Sequence, residues 1–291
     1  MIKKSNKISI SVIIPVYNDY ENLKNCIEAL NKQTKLPYEI IIVDNNSNLD
    51  EKKIIKKLCL NGDRLVYIEE NEIQGSYAAR NKGLEYSKGK IIAFTDSDCT
   101  PEKDWIKNIR QIFLKDSSID ALAGKVKFIF KDNNDSAEII DSLVNMQNEE
   151  CVKNRGVAKT ANLSVKKEMF DKIGKFDIHL KSGGDVSWTK RLTSEGYKLI
   201  YDKNVIVKHP TRKKNELLNK VKRVAKGKSN TSNSYIDVII YTIKNILPPN
   251  LKIIKKARKR YNLSIFKLLN IYLYLWGLKL YSIKYFYNKE V

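Results

Sequence analysis

Ile91-Ile92-Ala93-Phe94-Thr95-Asp96-Ser97-Asp98 decides how this chain is read. The apolar run from Ile91 to Phe94 predicts a buried strand. Two carboxylates follow at its carboxyl end, and open α/β sheets bind ligands in the crevice outside that edge. Alternate residues of an extended segment point the same way, so Asp96 and Asp98 face one site. Two hard oxygen donors suit Mg²⁺ or Mn²⁺ carrying substrate phosphates. Taken alone, such a triplet is more often a solvated turn or a helix cap. Its neighbours decide the matter.

Working outward, strands and helices alternate. Ile8–Val16, Glu39–Val43, Leu65–Ile68 and Lys90–Phe94 read as strands, and 20–32, 52–60 and 76–86 as helices. That alternation implies right-handed βαβ units and a mainly parallel sheet flanked by helices. Further on, Pro101 is expected to open a helix through Trp105. A strand at Ala121–Phe130 and a helix at Ser136–Glu150 follow. Residues 152–165 are polar and weakly periodic, so they read as a functional loop. Short helices are expected at 166–173 and 185–195, and short strands at 197–201 and 205–207. No internal repeat is visible.

Three polar clusters end the first, second and fourth strands: Pro15-Val16-Tyr17-Asn18-Asp19, Asp44-Asn45-Asn46-Ser47 and Asp96-Ser97-Asp98. Strand ends in a parallel sheet share one rim, so the three converge on one crevice. Any one could be a turn or an N-cap; their convergence argues for a site.

With these motifs the chain resembles inverting glycosyltransferases of family 2, which have the GT-A nucleotide-sugar-binding fold. The resemblance covers residues 8–210. It also draws on Gly75, Ala79-Arg80-Asn81-Lys82-Gly83, Pro101, Trp105, Ala161-Asn162, Gly174, Phe176-Asp177 and Gly183-Gly184-Asp185. It implies that Pro15, Tyr17 and Asn18 line the nucleotide pocket and that Asp44 takes hydrogen bonds from the base, with Ser47 assisting. Arg80 would contact the donor or orient Asp96. Asp96 would hold ribose or metal beside Ser97, and Asp98 would ligate a Mn²⁺ or Mg²⁺ bridging the diphosphate. His209 would complete the metal site, with a strand-end histidine holding no ligand as the alternative. Asn162 is expected near donor sugar and acceptor, and Trp188 facing the acceptor or packing in the core. Asp185 is the expected base, since displacement at an anomeric carbon needs a carboxylate to take the acceptor proton. The family often carries an acidic pair here. This chain has Gly184-Asp185, which leaves acceptor contacts at Gly184 in doubt.

Charge divides the chain. Its 291 residues carry a net +21, of which residues 211–291 hold 19 Lys/Arg against 3 Asp/Glu, a net of +16. The expected division is therefore a catalytic domain at 1–210 and a basic amphipathic helical extension at 211–291. Basic residues beside the aromatic-rich stretches 235–247 and 263–287 suit an anionic membrane surface; a helical cap packed on the catalytic domain is the alternative. No uncharged apolar stretch is long enough to span a bilayer. The short polar start at Met1–Lys7 does not read as a signal peptide. Four scattered cysteines form no disulfide scaffold or zinc motif, consistent with a reduced compartment. The expectation is a cytoplasmic enzyme, peripheral on the inner membrane face, acting on a glycan or lipid-linked hydroxyl in cell-surface polysaccharide or glycolipid synthesis.

Three rivals remain at this level. A non-catalytic sugar-nucleotide-binding or membrane scaffold protein would explain the missing acid at 184. A nucleotidyltransferase is disfavoured by the lack of a Gly-rich, lysine-containing first turn. Nucleic-acid binding is disfavoured because the charge is confined to the tail and no nucleic-acid motif accompanies it.

Overall fold

The computed structural model describes residues 8–287 apart from residues 61, 231 and 233. The Met1–Lys7 stretch lies outside the described residues. The N-terminal part alternates as β1 (Ile10–Val16), α1 (Tyr20–Asn31), β2 (Glu39–Asp44), α2 (Leu49–Leu60), β3 (Leu65–Glu69), α3 (Ser76–Tyr86) and β4 (Ile91–Phe94). Then come β5 (Thr100–Pro101), α4 (Trp105–Lys115), β6 (Ala121–Ile129), α5 (Ser136–Val144) and α6 (Asn148–Arg155). A 3₁₀ turn at Thr160–Asn162 leads into β7 (Leu163–Lys166), α7 (Glu168–Ile173), α8 (Gly184–Ser194) and β8 (Leu199–Pro210). Four helices close the chain: α9 (Lys214–Asn230), α10 (Tyr235–Ile246), α11 (Lys252–Tyr261) and α12 (Ile265–Tyr287).

The strands form one sheet in the order β3-β2-β1-β4-β7-β6-β8-β5. β1 pairs in parallel with β2 and β4, and β2 with β3, so their carboxyl ends share one rim. β1, β2 and β4 are buried along their whole length, as parallel strands covered on both faces must be. β7 then reverses direction and pairs antiparallel with both β4 and β6. Gly83 lets α3 approach this sheet closely, because a Cβ there would fall 2.7 Å from Ile13 Cγ2.

Several expected elements differ. The helix expected over 136–150 is two helices, broken at Asn145–Gln147 where Met146 takes φ +49°. The break turns Asn148 inward, where its amide donates to the carbonyls of Gly124 and Asn162. The expected loop at 152–165 holds the end of α6 and the interior strand β7. Pro101 does not open a helix. It belongs to a two-residue strand pairing with Val207 and Lys208 of β8, and the helix starts at Trp105. The two short strands after 197 are one strand, β8, in which Asp202 accepts from the Asn204 amide at 2.7 Å.

The chain forms two compact units. One comprises residues 1–127, 147–179 and 184–209; the other comprises 128–146, 180–183 and 210–291. The second is larger than the C-terminal stretch alone, because α5 supplies Ile139, Ile140 and Leu143 to a core shared with Leu217, Ala257, Leu268, Ile271 and Leu278. Fully buried Asp141 anchors the entry to α9: it lies 3.4 Å from the Arg212 guanidinium and 3.9 Å from the Lys220 ammonium, and accepts from the Arg212 amide at 3.1 Å. Among the described residues, no helix is long and apolar enough to cross a membrane.

Candidate active site

The three rim clusters meet at the carboxyl ends of β1, β2 and β4. Asn18, at φ +47°, ties the first two together: its amide donates to Ser47 Oγ at 2.9 Å, and its Oδ1 accepts from the Asn48 amide at 2.8 Å. Pro15 is buried inside β1, so the surface this segment presents is Tyr17, 54 % exposed. Asp44 is fully buried. Its Oδ1 accepts from the Ser47 amide at 2.8 Å, while its Oδ2 has no hydrogen-bond partner. A buried carboxylate oxygen left without a donor is costly, which makes it a natural acceptor for a ligand N–H. Tyr67 adjoins it; burial first, then the charges of Asp44 and Glu69, push that phenol well above its ordinary pKa.

Arg80 of α3 ion-pairs with Asp96, and the same guanidinium donates to the Ser76 carbonyl at 3.2 Å. The pair sets Arg80 beside Asp96 at the rim. The Ser97 hydroxyl donates to Asp19 Oδ2 at 2.6 Å. Asp19 thereby joins the rim beside Asp98. Burial is the main reason its carboxyl lies above the usual range, with Asp98 and Glu51 adding to the rise.

Asp98 meets β8. Its Oδ2 lies 3.2 Å from His209 Nε2, and His209 is buried. With Cys99, these residues offer three ligand atoms within 4.8 Å of one another. Cys99 is the least suited of the three, because a soft sulfur donor does not favour a hard cation; burial, reinforced by Asp98 and Asp96, pushes its thiol up. What remains is a carboxylate and an imidazole. Such a pair can hold a divalent cation.

Asp185 sits in the first turn of α8. Its Oδ1 accepts from the Val186 amide at 2.8 Å and from Tyr77 Oη at 3.3 Å, its Oδ2 accepts from the Thr160 amide at 3.3 Å, and Lys159 Nζ stands 3.8 Å away. Gly184 has a steric reason. A Cβ there would lie 2.8–2.9 Å from the Tyr77 ring, so that ring fills the space an acidic side chain would need. Gly184 therefore offers an acceptor no side chain; Tyr77 stands in its place.

Two other expectations are corrected. Asn162 is fully buried, its Nδ2 donating to the carbonyls of Lys125 and Val205 and its Oδ1 accepting from Trp105 Nε1, all at 2.9 Å. It stitches β6 to β8 and, fully buried, presents no surface to a sugar. Trp188 is 1 % exposed, stacks on Phe170 at 4.6 Å and donates to the Gly174 carbonyl. It is core. The sequence reading missed Tyr77, Lys159 and Asn45 as parts of the site. Asn45 braces the rim by accepting from the Gly75 amide at 2.6 Å and donating to the carbonyls of Glu70 and Ile73. Its position inside the second polar cluster was the available signal; Tyr77 and Lys159 offered none, because their relation to Asp185 is tertiary.

With this geometry in place the relatives can be compared. The fold matches the mannosyltransferase PcManGT from Pyrobaculum calidifontis in complex with GDP-Man and Mn²⁺, at TM-score 0.67 and 17% identity over 98% of this chain and 89% of that one. It also matches GalNAc-T7 with UDP, GalNAc and Mn²⁺, at TM-score 0.61 and 17% identity over 93% of this chain and 57% of that one. The architecture is that of the GT-A glycosyltransferases. The family model for glycosyl transferase family 2 matches residues 11–178, and the chain belongs to that family of glycosyltransferases. Glycosyltransferase AglE of Haloferax volcanii is 44% identical over 220 residues, spanning 75% of this chain and 72% of that protein. The poly(ribitol-phosphate) beta-glucosyltransferase of Bacillus spizizenii is 31% identical over 198 residues, which cover 62% of this chain but only 29% of that longer protein.

Proposed function

We propose that this glycosyltransferase transfers a sugar, with inversion, from a nucleotide-diphosphate sugar to a hydroxyl acceptor, with a divalent cation at the strand rim. The observation that carries this reading is the pairing of Asp98 and His209. The turn that follows β4 and the end of β8, distant in sequence, bring a carboxylate and an imidazole to 3.2 Å. Asp98 and His209 would hold the cation, Mn²⁺ or Mg²⁺, with Asp96 held beside them by Arg80. A cation there neutralises charge on the leaving diphosphate. The two solved relatives contain Mn²⁺ with a nucleotide, which supports the same reading.

The remaining roles belong to this chain's own groups. Asp44 presents its unpartnered oxygen to a base N–H, and Tyr17 offers an exposed aromatic face beside it. Asp185 takes the proton of the acceptor hydroxyl. The acceptor oxygen then bonds to the anomeric carbon from the face opposite the diphosphate, and the carbon–diphosphate bond breaks with its electrons going to the diphosphate oxygen. Tyr77 and the Thr160 amide orient the Asp185 carboxylate through this step, since a base must be held within hydrogen-bond reach of its proton. Residues 211–291 would place the enzyme on an anionic membrane, on its cytoplasmic face, near a lipid-linked or growing surface glycan.

The test is donor turnover with Mn²⁺ in the wild type and in Asp98→Ala. Loss of the metal-stimulated activity in the variant is expected. Full metal-stimulated activity in Asp98→Ala would remove the metal assignment.

A further inference from the structure

α10 is built inside out. Ile236, Ile239, Ile240, Ile243, Ile246 and the following Leu247 are each 52–68 % exposed. Their spacing places them on one face of about 120°, as expected for side chains three and four apart on a helix. The opposite face, carrying Tyr241, Thr242 and Asn245, is half-buried. It is held to α12: Tyr241 stacks on Phe286 at 4.0 Å, and the Thr242 and Tyr287 hydroxyls meet at 2.6 Å. Trp276 Nε1 and Lys279 Nζ donate to the Ile246 and Leu247 carbonyls at the helix end. A surface helix in water turns its aliphatic side inward. Here it is fixed with that side outward, and contiguous exposed apolar patches of this kind mark interaction surfaces.

Charge identifies the occupant. Lys244 flanks the isoleucine face, and burial together with Lys244 lowers the pKa of Lys279, so two cations stand near each other at this end. A five-residue link, 247–251, leads into α11, where Lys252, Lys255, Lys256, Arg258, Lys259 and Arg260 follow within ten residues. A second copy of the chain docking through this face would bring like charges together, which association disfavours. An anionic lipid surface accepts both the aliphatic face and the lysines.

We propose that α10 is the membrane-insertion helix of this enzyme, lying in the plane of an anionic bilayer with its isoleucine face at the acyl boundary and the lysines of α10 and α11 on lipid phosphates. The proposal rests on the reading of residues 211–291 as membrane-facing and assigns that contact to one helix face. α12 serves as the brace that keeps the face outward.

The test is co-sedimentation of the full chain with phosphatidylcholine vesicles, with and without phosphatidylglycerol, beside the double variant Ile239→Asp/Ile243→Asp. The wild type should bind the anionic vesicles, and the variant's affinity should fall more than about tenfold, because two aliphatic side chains are lost and two carboxylates must enter the interface. The variant's melting temperature should not change, since both positions are solvent-exposed. Ile240→Trp should show fluorescence quenched by brominated acyl chains. If the wild type binds and the double variant binds equally, α10 is not the inserted element, although the tail still meets membrane. If the wild type binds no vesicle, both readings fall. A wild-type dimer that the double variant turns into a monomer, with no vesicle binding by either, would assign the face to a second copy and overturn the proposal.

Discussion

Asp185→Asn will lower sugar transfer by about 10²- to 10⁴-fold, the range a positioned general base contributes, while leaving donor binding intact. The substitution keeps shape and most hydrogen bonds: an amide oxygen in the place of Oδ1 still accepts from Tyr77 and Val186, and only the contact of Oδ2 with the Thr160 amide is lost. What it removes is the ability to hold the acceptor's proton. Donor binding should survive because Asp44, Arg80, Asp96 and Asp98 stand on the strand rim and α3, whereas Asp185 opens α8. Single-turnover transfer and donor affinity, measured on the same preparation, separate the two. Unchanged transfer by Asp185→Asn would show that another group takes the proton, with Asp185 reduced to ordering the start of its helix. The same pair of measurements answers the rival scaffold reading. That reading leaned on the absent acid at 184, and the Tyr77 ring now accounts for it sterically.

Asp141→Ala carries the largest stability effect, about 3–5 kcal/mol, the cost of breaking a buried ion pair from one side. Asp141 is fully buried, accepts from Asn145 Nδ2 at 2.6 Å and faces both Arg212 and Lys220. Removing it leaves the cations on α9 and its approach without this carboxylate and unties α5 from the start of the C-terminal helices. The melting transition that reports on the helical unit should fall by at least about 12 °C, taking about 4–8 °C per kcal/mol for a unit of about 100 residues. Because the chain forms two units, one melting temperature need not describe it, and two-state analysis should be applied to each transition separately. A variant melting with the wild type would show that Asp141 is solvated or dispensable.

Much of the site's frame could be read from the residues, and the physics explains which parts could not. Asp44, Asp96 and Asp98 announced themselves because each ends an apolar run, and hydrophobic patterning is the strongest local signal. β7 did not, because Leu163–Lys166 is short, carries Ser164 and Lys166, and owes its place to pairing with β4 and β6 on either side. Asn162 looked like a ligand-facing loop residue, yet it is fully buried and three hydrogen bonds hold its side chain between β6, β8 and Trp105. The helix break at Met146 likewise depends on a distant demand, the burial of Asn148 against Gly124 and Asn162. The inverted face of α10 was invisible as such. Its periodicity gives an amphipathic helix, but which side turns outward is settled by the stacking of Tyr241 on Phe286.

The central claim is that the rim formed by Asp44, Asp96, Asp98 and His209 binds a nucleotide-diphosphate sugar together with a divalent cation. The most direct measurement is a thermal-shift screen of nucleotide sugars with and without Mn²⁺, since a ligand that binds only the folded state raises its stability. At least one nucleotide-diphosphate sugar should raise the melting temperature in the presence of Mn²⁺, with the shift lost on chelation and in Asp98→Ala. A shift equal in size with the cation chelated, or no shift from any donor, would contradict the account.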